Sequence, residues 1–166
     1  MKLTGVFLLF AWLAQTPDIH YVPTSNGVAE AMLKLAKTTA SDVVYDLGSG
    51  DGRIVIAAAK KFGARGVGVE IDADLIKQAR KNAQKAGVAD RVTFLQQDLF
   101  KTDLSEATVV TLYLSNSINT RLRSILERQL KPGARIVSHR FTFGDWKPDA
   151  EQRLEGTSIY LWIRRD

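Results

Sequence analysis

Residues 46–53 read DLGSGDGR, between the apolar run Val43-Val44-Tyr45 and the segment IVIAAAKKF at 54–62. The run before the loop indicates a buried strand, and the apolar spacing after it indicates a helix. Three glycines at this junction leave the main chain bare of Cβ atoms, so a ligand can approach it closely. The start of the helix adds free N–H groups and the positive end of the helix dipole. The stretch therefore predicts a ligand-binding turn in an α/β fold.

Strands and helices alternate along the rest of the chain. Strands are predicted at 43–47, 66–71, 91–95, 108–114, 134–138 and 157–163, and helices at 51–62, 73–86 and 118–130, with a further helix beginning near 24–26. This alternation indicates βαβ units and a mostly parallel sheet with helices on both faces. Ligands of such sheets bind beyond the carboxyl ends of the strands, which is where the glycine loop lies.

The composition excludes cysteine-dependent chemistry and leaves the type of binding partner open. The 166 residues suit one domain, and the absence of cysteine excludes disulfides, thiolate metal sites and cysteine nucleophiles. No metal site is predicted. The net charge of +5 is compatible with an acidic partner and equally with a solvated basic surface, because the basic residues are spread along the chain.

The spacing of the glycines separates three classes of ligand. A phosphate-binding P-loop needs a Gly-Lys-Ser/Thr sequence, which does not follow Gly48. A dinucleotide site needs G-x-G-x-x-G, whereas Gly48, Gly50 and Gly52 give G-x-G-x-G. The third class is S-adenosylmethionine (SAM), whose ammonium group suits an acid just before the loop. Asp46 can bind that ammonium through charge-assisted hydrogen bonds.

Two more acids follow the next two predicted strands. Glu70 ends the second strand, where a carboxylate can accept hydrogen bonds from both hydroxyls of a ribose. Asp98 follows the third strand and can accept from the exocyclic amine of adenine, while Leu99 or Phe100 packs on the ring. Three acids at successive strand ends indicate one cleft that binds adenosine and an ammonium group.

These motifs resemble those of the class I, Rossmann-like, seven-strand SAM-dependent methyltransferases. The segments YVPTSNGVAEAML at 21–33, the run from Val43 to Asp72, VTFLQQDLF at 92–100, VVTLYL at 109–114 and RIVSHRF at 135–141 are similar to those of small protein lysine methyltransferases. Eukaryotic members of that family modify the adenine-nucleotide translocator and the ATP synthase c subunit, and bacterial relatives are short. The resemblance implies SAM binding, with S-adenosylhomocysteine as product. It also implies that the segment from Tyr21 to Thr24 folds over the cofactor. The predicted cofactor site comprises Tyr21, Thr24, Asp46, Gly48, Ser49, Gly50, Glu70, Ile71, Asp98 and Leu99.

Residues after the fourth and fifth strands are candidates for the acceptor side. Methyl transfer from a sulfonium needs mainly alignment of the reactants and a shielded site. Tyr113 is predicted to line the channel for an acceptor lysine and to orient its amine, and Trp146 to close the opposite side, with Phe141 and Phe143 as further candidates. Ordinary packing remains the alternative for Trp146. A hydrogen-bonded structural role remains the alternative to a base for His139.

Missing motifs argue against a nucleobase as the methyl acceptor, and the family resemblance implies a protein lysine. Methylation of nucleobase amines usually goes with an Asn/Asp-Pro-Pro-aromatic sequence, which the four separate prolines exclude. Pyrimidine carbon methylation needs a cysteine. No specific nucleic acid is therefore expected. The alternatives are a small-molecule methyltransferase, a non-catalytic membrane-tethered SAM-binding protein and, more distantly, a nicotinamide oxidoreductase.

The first sixteen residues differ in composition from the predicted domain at 17–166. The run VFLLFAWLA at 6–14 is typical of a signal peptide, but it is too short to span a membrane. SAM is a cytoplasmic metabolite, which argues against export. We expect a cytoplasmic protein whose segment 1–16 is an uncleaved helix at the membrane surface. Packing of the same helix on its own domain is the alternative.

Overall fold

A computed structural model describes residues 23–166 of the chain. Twelve elements of secondary structure follow one another in this part of the chain. The strands are β1 (Val43–Leu47), β2 (Arg65–Glu70), β3 (Val92–Gln96), β4 (Val109–Leu112), β5 (Arg135–His139), β6 (Ala150–Leu154) and β7 (Thr157–Ile163). The helices are α1 (Asn26–Leu35), α2 (Arg53–Phe62), α3 (Ala73–Ala86) and α4 (Asn116–Gln129), and a 3-10 turn lies at Leu99–Lys101.

The seven strands form one sheet in the order β3-β2-β1-β4-β5-β7-β6. Neighbouring strands from β3 to β5 are parallel, while β7 runs antiparallel to both β5 and β6. The carboxyl ends of β1, β2, β3, β4 and β5 therefore meet at one edge of the sheet. The predicted mostly parallel sheet is confirmed.

Helices cover both faces of the sheet, as the sequence predicts. Val44 of β1 packs in a cluster with residues of α1 and α2, whereas its neighbour Tyr45 packs in a cluster with Leu122 and Leu126 of α4. Because side chains alternate along a strand, these two clusters lie on opposite faces. A third cluster joins α2 and α3 to β3. The α1–α3 layer thus supports the glycine loop, and α4 supports the ends of β4 and β5.

Local sequence explains where the helices begin and end. The Ser25 hydroxyl accepts a hydrogen bond from the Val28 N–H at the start of α1, and Asp72 accepts two main-chain N–H groups at the start of α3. Gly63 and Gly87 end α2 and α3 in the left-handed conformation.

Several predicted boundaries are wrong by one or two residues, and one strand was missed. Helix α4 begins at Asn116, two residues earlier than predicted, because Ser115 caps it. Helix α2 begins at Arg53 because residues 51–52 belong to the turn. Strand β6 was not predicted because AEQRL is an exposed edge strand without apolar alternation. The predictions for Tyr21 and residues 1–16 lie outside the described part of the chain. No helix within residues 23–166 is long and apolar enough to cross a membrane.

Candidate methyltransferase site

The glycine loop follows β1 in a conformation that requires its glycines. Gly48, Gly50 and Gly52 have φ angles of 81°, 53° and 81°, which side chains rarely allow. A Cβ on Gly52 would lie 2.6 Å from the Phe94 ring, and one on Gly48 would lie 2.9 Å from Leu114. The loop is therefore confined between β3 and the end of β4, and its main chain faces the carboxyl edge of the sheet.

Asp46 lies at the centre of this edge with its carboxyl group buried. The residue is 4% exposed, and its Oδ1 accepts a 2.7 Å hydrogen bond from Thr111 Oγ1 of the neighbouring β4. Burial, together with the smaller effect of the Glu70 and Asp51 charges, raises the pKa of Asp46 to about 7, although the hydrogen bond from Thr111 lowers it. No cation among residues 23–166 pairs with Asp46, so this carboxyl group is suited to a positively charged ligand.

Glu70 connects the end of β2 to the glycine loop. Its Oε2 accepts from the Gly50 N–H at 3.0 Å, and its Oε1 accepts from Ile71 N–H at 2.8 Å and Asp72 N–H at 3.0 Å. These three bonds fix the carboxylate at the mouth of the cleft. Its remaining acceptor capacity can take the two hydroxyls of a ribose.

Residues 71 and 98–99 provide apolar and polar groups next to Glu70. Ile71 is 57% exposed and offers an apolar surface next to Glu70 in the chain. The Asp98 carboxylate accepts a 2.9 Å bond from the Phe100 N–H and so holds the turn that carries Leu99. A flat apolar ring packed on Ile71, with an amine directed to Asp98, fits this arrangement.

Thr24 precedes α1 and is held next to the glycine loop by the side chain of Arg53. Arg53 makes a bidentate pair with Asp51 at 2.9 and 2.6 Å, and its third nitrogen donates to the Thr24 carbonyl oxygen at 2.8 Å. The segment before α1 is thereby bound to the first turn of α2. Of the segment 21–24, which is predicted to fold over the cofactor, Pro23 and Thr24 belong to the described chain, and Thr24 is bonded to Arg53 directly after the glycine loop.

Tyr113, which is predicted to line the acceptor side, lies next to two rings at and after the end of β5. Its ring lies 4.0 Å from His139 and 6.1 Å from Phe141, centroid to centroid. Tyr113 is half-buried, and its hydroxyl has no hydrogen-bond partner among residues 23–166. The hydroxyl is available to a ligand, as the prediction for Tyr113 requires. Phe141, a further candidate from the sequence, is near Tyr113, and its role in closing the channel stays a prediction.

Trp146 lies in a different aromatic group. Its ring centroid is 5.3 Å from Phe143 and 6.1 Å from Trp162, and the Arg123 guanidinium lies over it at 5.3 Å. Its carbonyl oxygen also accepts from Trp162 Nε1 at 2.9 Å. These contacts are those of packing over the sheet, and they do not bring Trp146 to Tyr113. The prediction that it closes the acceptor channel has no support from them.

Ser49 contributes to the loop through its main chain. Its N–H donates to the Val69 carbonyl oxygen at 2.9 Å, while its side chain faces Gly68 of β2 and is buried. The hydroxyl has no hydrogen-bond partner within the described chain. A direct hydroxyl contact with a cofactor therefore stays a prediction that this geometry does not favour.

Sequence reasoning missed the residues that hold the acceptor side in place. Asn119 of α4 is fully buried and donates to Ser138 Oγ at 3.1 Å and to the Phe141 carbonyl oxygen at 3.3 Å. Asn116 accepts from the Thr142 N–H at 3.0 Å. Helix α4 thus fixes the main chain after β5. Polar residues one turn apart at a helix start were the available signal, but their partners lie in a distant segment.

The described residues fit SAM. The buried carboxyl group of Asp46 suits the ammonium, Glu70 suits the ribose, and Ile71 and Asp98 suit the adenine. The glycine loop brings uncovered main chain to the same edge. No cluster of metal-binding side chains occurs among residues 23–166.

Comparison with known proteins gives the family. Residues 46–150 match the ANTKMT methyltransferase domain. The chain belongs to this methyltransferase family. The resemblance drawn from the sequence is confirmed, and so is the Rossmann-like class I fold.

Relatives within and around the ANTKMT family carry lysine methyltransferase names. A protein-lysine N-methyltransferase of Saccharolobus islandicus is 42% identical over 156 residues, which cover 91% of this chain and 97% of that protein. The human lysine N-methyltransferase of the ATP synthase c subunit is 37% identical over 131 residues, or 79% of this chain and 55% of that enzyme. The mouse adenine nucleotide translocase lysine N-methyltransferase is 36% identical over 80% of this chain and 58% of that enzyme. The chain thus spans little more than half of these animal enzymes.

Solved structures of similar chains contain S-adenosyl-L-homocysteine. An RNA methyltransferase from Salinibacter ruber in complex with that product is 59% identical, with a TM-score of 0.86 over 87% of this chain and 95% of the other. A SAM-dependent methyltransferase from Geobacter sulfurreducens, in complex with the same product, is 29% identical, with a TM-score of 0.58 over 66% of this chain and 47% of the other.

Proposed function

We propose that this ANTKMT-family protein transfers a methyl group from SAM to the side-chain amine of a lysine in a protein substrate. The observation that carries the proposal is the arrangement of Asp46, Glu70 and Asp98 at adjoining strand ends, on the same edge of the sheet as the half-buried ring of Tyr113. The lysine methyltransferase names of relatives that cover most of this chain support the choice of acceptor.

The cofactor residues bind and orient the methyl donor. Asp46 holds the ammonium, Glu70 the ribose hydroxyls, and Asp98 with Ile71 and Leu99 the adenine. SAM supplies a methyl group already activated by its sulfonium, and the protein supplies alignment and exclusion of water. Thr111 keeps the Asp46 carboxylate oriented, because its hydroxyl donates to Oδ1 at 2.7 Å.

The acceptor residues favour a neutral amine. An unperturbed lysine has a pKa of about 10.4, and an apolar surrounding lowers that pKa because it penalises the charged form. The rings of Tyr113 and Phe141 supply this surrounding, and the Tyr113 hydroxyl can accept a hydrogen bond from the amine. We assign His139 no role as the base, because it is buried and both of its ring nitrogens lie within hydrogen-bonding distance of threonine hydroxyls.

An isotope-transfer experiment tests the proposal. The purified protein is incubated with methyl-labelled SAM and a cell lysate, and the product is divided among protein, RNA and small-molecule fractions. We expect label that protease releases and ribonuclease does not. The Asp46→Asn variant is the matched control, because it keeps the shape of the side chain and removes its charge. Label in the small-molecule fraction alone would support a small-molecule methyltransferase, and none in any fraction despite SAM binding would support a non-catalytic protein.

RNA is the second candidate acceptor, because the similar Salinibacter ruber chain is described as an RNA methyltransferase. The net charge of +5 is compatible with it. The sequence after β4, Tyr113-Leu114-Ser115-Asn116, is not the Asn/Asp-Pro-Pro-aromatic motif of nucleobase amine methylation. Ribonuclease-sensitive label in the same experiment would select this candidate.

We infer that the protein acts in the cytoplasm, with residues 1–16 attached to the membrane surface. Two observations support this inference. Residues 6–14 form an apolar run, and the names of the relatives give two membrane proteins as their substrates, the ATP synthase c subunit and the adenine nucleotide translocase. Fractionation compares the full chain with one that starts at Asp18. We expect only the full chain to sediment with membranes. Equal solubility of the two chains, with residues 1–16 retained, would contradict the inference.

A further inference from the structure

The segment before α1 is attached to both halves of the site. Thr24 is 4% exposed and makes two long-range contacts. Its carbonyl oxygen accepts from Arg53 Nη1 at 2.8 Å, and Arg53 in turn pairs with Asp51 of the glycine loop. Its hydroxyl lies 3.2 Å from His139 Nδ1 at the end of β5. Thr24 therefore bridges the cofactor loop and the strand that borders the acceptor side.

His139 continues this connection to Tyr113. Its second nitrogen, Nε2, lies 3.1 Å from Thr157 Oγ1, and its ring packs against Tyr113 at a tilt of 35°, with the ring centroids 4.0 Å apart. The residue is 6% exposed, so its ring has little room to turn without breaking a hydrogen bond or displacing Tyr113. One side chain, that of His139, thus contacts both Thr24 and the Tyr113 ring.

We propose that His139 is a positioning residue for methyl transfer, which makes the placement of Tyr113 depend on the placement of Thr24. The proposal rests on the proposed function, since Tyr113 is the residue that aligns the acceptor amine. Its physical basis is an uninterrupted series of contacts from Asp51 through Arg53, Thr24 and His139 to Tyr113. The acceptor side then reaches its working geometry only when the segment at Thr24 is seated against the cofactor loop.

A double-mutant cycle measures this dependence. Thr24→Val removes the hydroxyl and preserves the shape of the side chain, and His139→Ala removes the ring. At saturating SAM we expect Thr24→Val to lower the rate of methyl transfer about three- to tenfold, the factor that one lost neutral hydrogen bond gives. The double variant should be no slower than His139→Ala alone, because both changes break the same connection. Thr120→Val is the control, because the hydroxyl of Thr120 is exposed and bonds to the main chain of its own helix.

Two kinetic results would overturn the proposal. One is a Thr24→Val rate within twofold of wild type at saturating SAM, with only the SAM affinity reduced. The other is losses that multiply in the double variant, which would mean that the two residues act independently. If His139→Ala does not fold, the Thr24→Val rate and the NMR signals of Tyr113 decide.

A measurement without any methyl acceptor separates this proposal from the proposed function. NMR spectra of ring-labelled tyrosine, assigned with Tyr113→Phe, report on the position of that ring. We expect Thr24→Val to shift the Tyr113 signals, because His139 lies between the two residues and contacts both, and Thr120→Val to leave them unchanged. Unshifted Tyr113 signals would contradict the coupling. If Thr24→Val shifts the Tyr113 signals, but the wild-type protein binds SAM and methylates no lysine, only the proposed function is contradicted.

Discussion

The affinity of the protein for S-adenosylhomocysteine should depend on pH through Asp46. Burial raises the pKa of this carboxyl group to about 7, while the unperturbed value for aspartate is 3.8. The ammonium of the ligand favours the ionised carboxylate, so binding competes with the proton. Between pH 7.5 and pH 6 the ionised fraction of such a group falls from about three-quarters to about one-tenth, which weakens binding roughly eightfold.

Calorimetric titration with S-adenosylhomocysteine at several pH values measures this effect. Asp46→Asn mimics the protonated side chain, so its affinity should be low and nearly independent of pH over the same range. The stability of the ligand-free protein should change with pH in the opposite direction to the ligand affinity. Because the folded state raises the pKa, the ligand-free protein should lose stability as pH rises from about 4 to 7, and Asp46→Asn should remove that loss. A wild-type affinity that stays constant from pH 7.5 to pH 6, or an Asp46→Asn affinity equal to wild type, would refute this reasoning.

Three further substitutions have defined outcomes. Thr111→Val removes the bond that lowers the pKa of Asp46, so at pH 7.5 calorimetry should show about three- to tenfold weaker S-adenosylhomocysteine binding, and an unchanged affinity would contradict the role of Thr111. Tyr113→Ala should lower turnover more than SAM affinity, as steady-state kinetics beside calorimetry will show; equal losses would make Tyr113 a cofactor wall. Gly52→Ala should destabilise the fold by more than about 1 kcal/mol, because φ is 81° and the new Cβ meets Phe94 at 2.6 Å. Its denaturation midpoint would be compared with that of Gly87→Ala, a left-handed position with open space around it.

Local patterns explain how much of the fold is predictable. Strands β1 and β7 have the predicted bounds, because each is a continuous or alternating apolar run between turn residues. Asp72 and Gly87 mark the ends of α3, because capping chemistry is local. Strand β6 lacks such a signal. Its pairing with β7 is defined by a neighbouring strand and not by its own side chains.

In the candidate site, too, some residues are predictable from the local sequence, and others depend on contacts with distant segments. Asp46, Glu70 and Asp98 are predictable because each lies at or just after the end of a recognisable strand, and parallel strands bring their ends together. Thr111 was missed because its role depends on the register of β4 against β1, which places it opposite Asp46. The contact of His139 with Thr24 joins residues 115 positions apart in the chain, and no local pattern reports it.

Acid hydrolysis of the labelled substrate protein tests most directly the claim that lysine is the methyl acceptor. After transfer from methyl-labelled SAM, the labelled protein is hydrolysed to amino acids and separated against standards of methylated lysine, arginine and histidine. The account predicts that the label elutes with methylated lysine, that Tyr113→Ala reduces it, and that Asp46→Asn abolishes it at limiting SAM. Label on another amino acid, or label that persists undiminished in both variants, would contradict the claim.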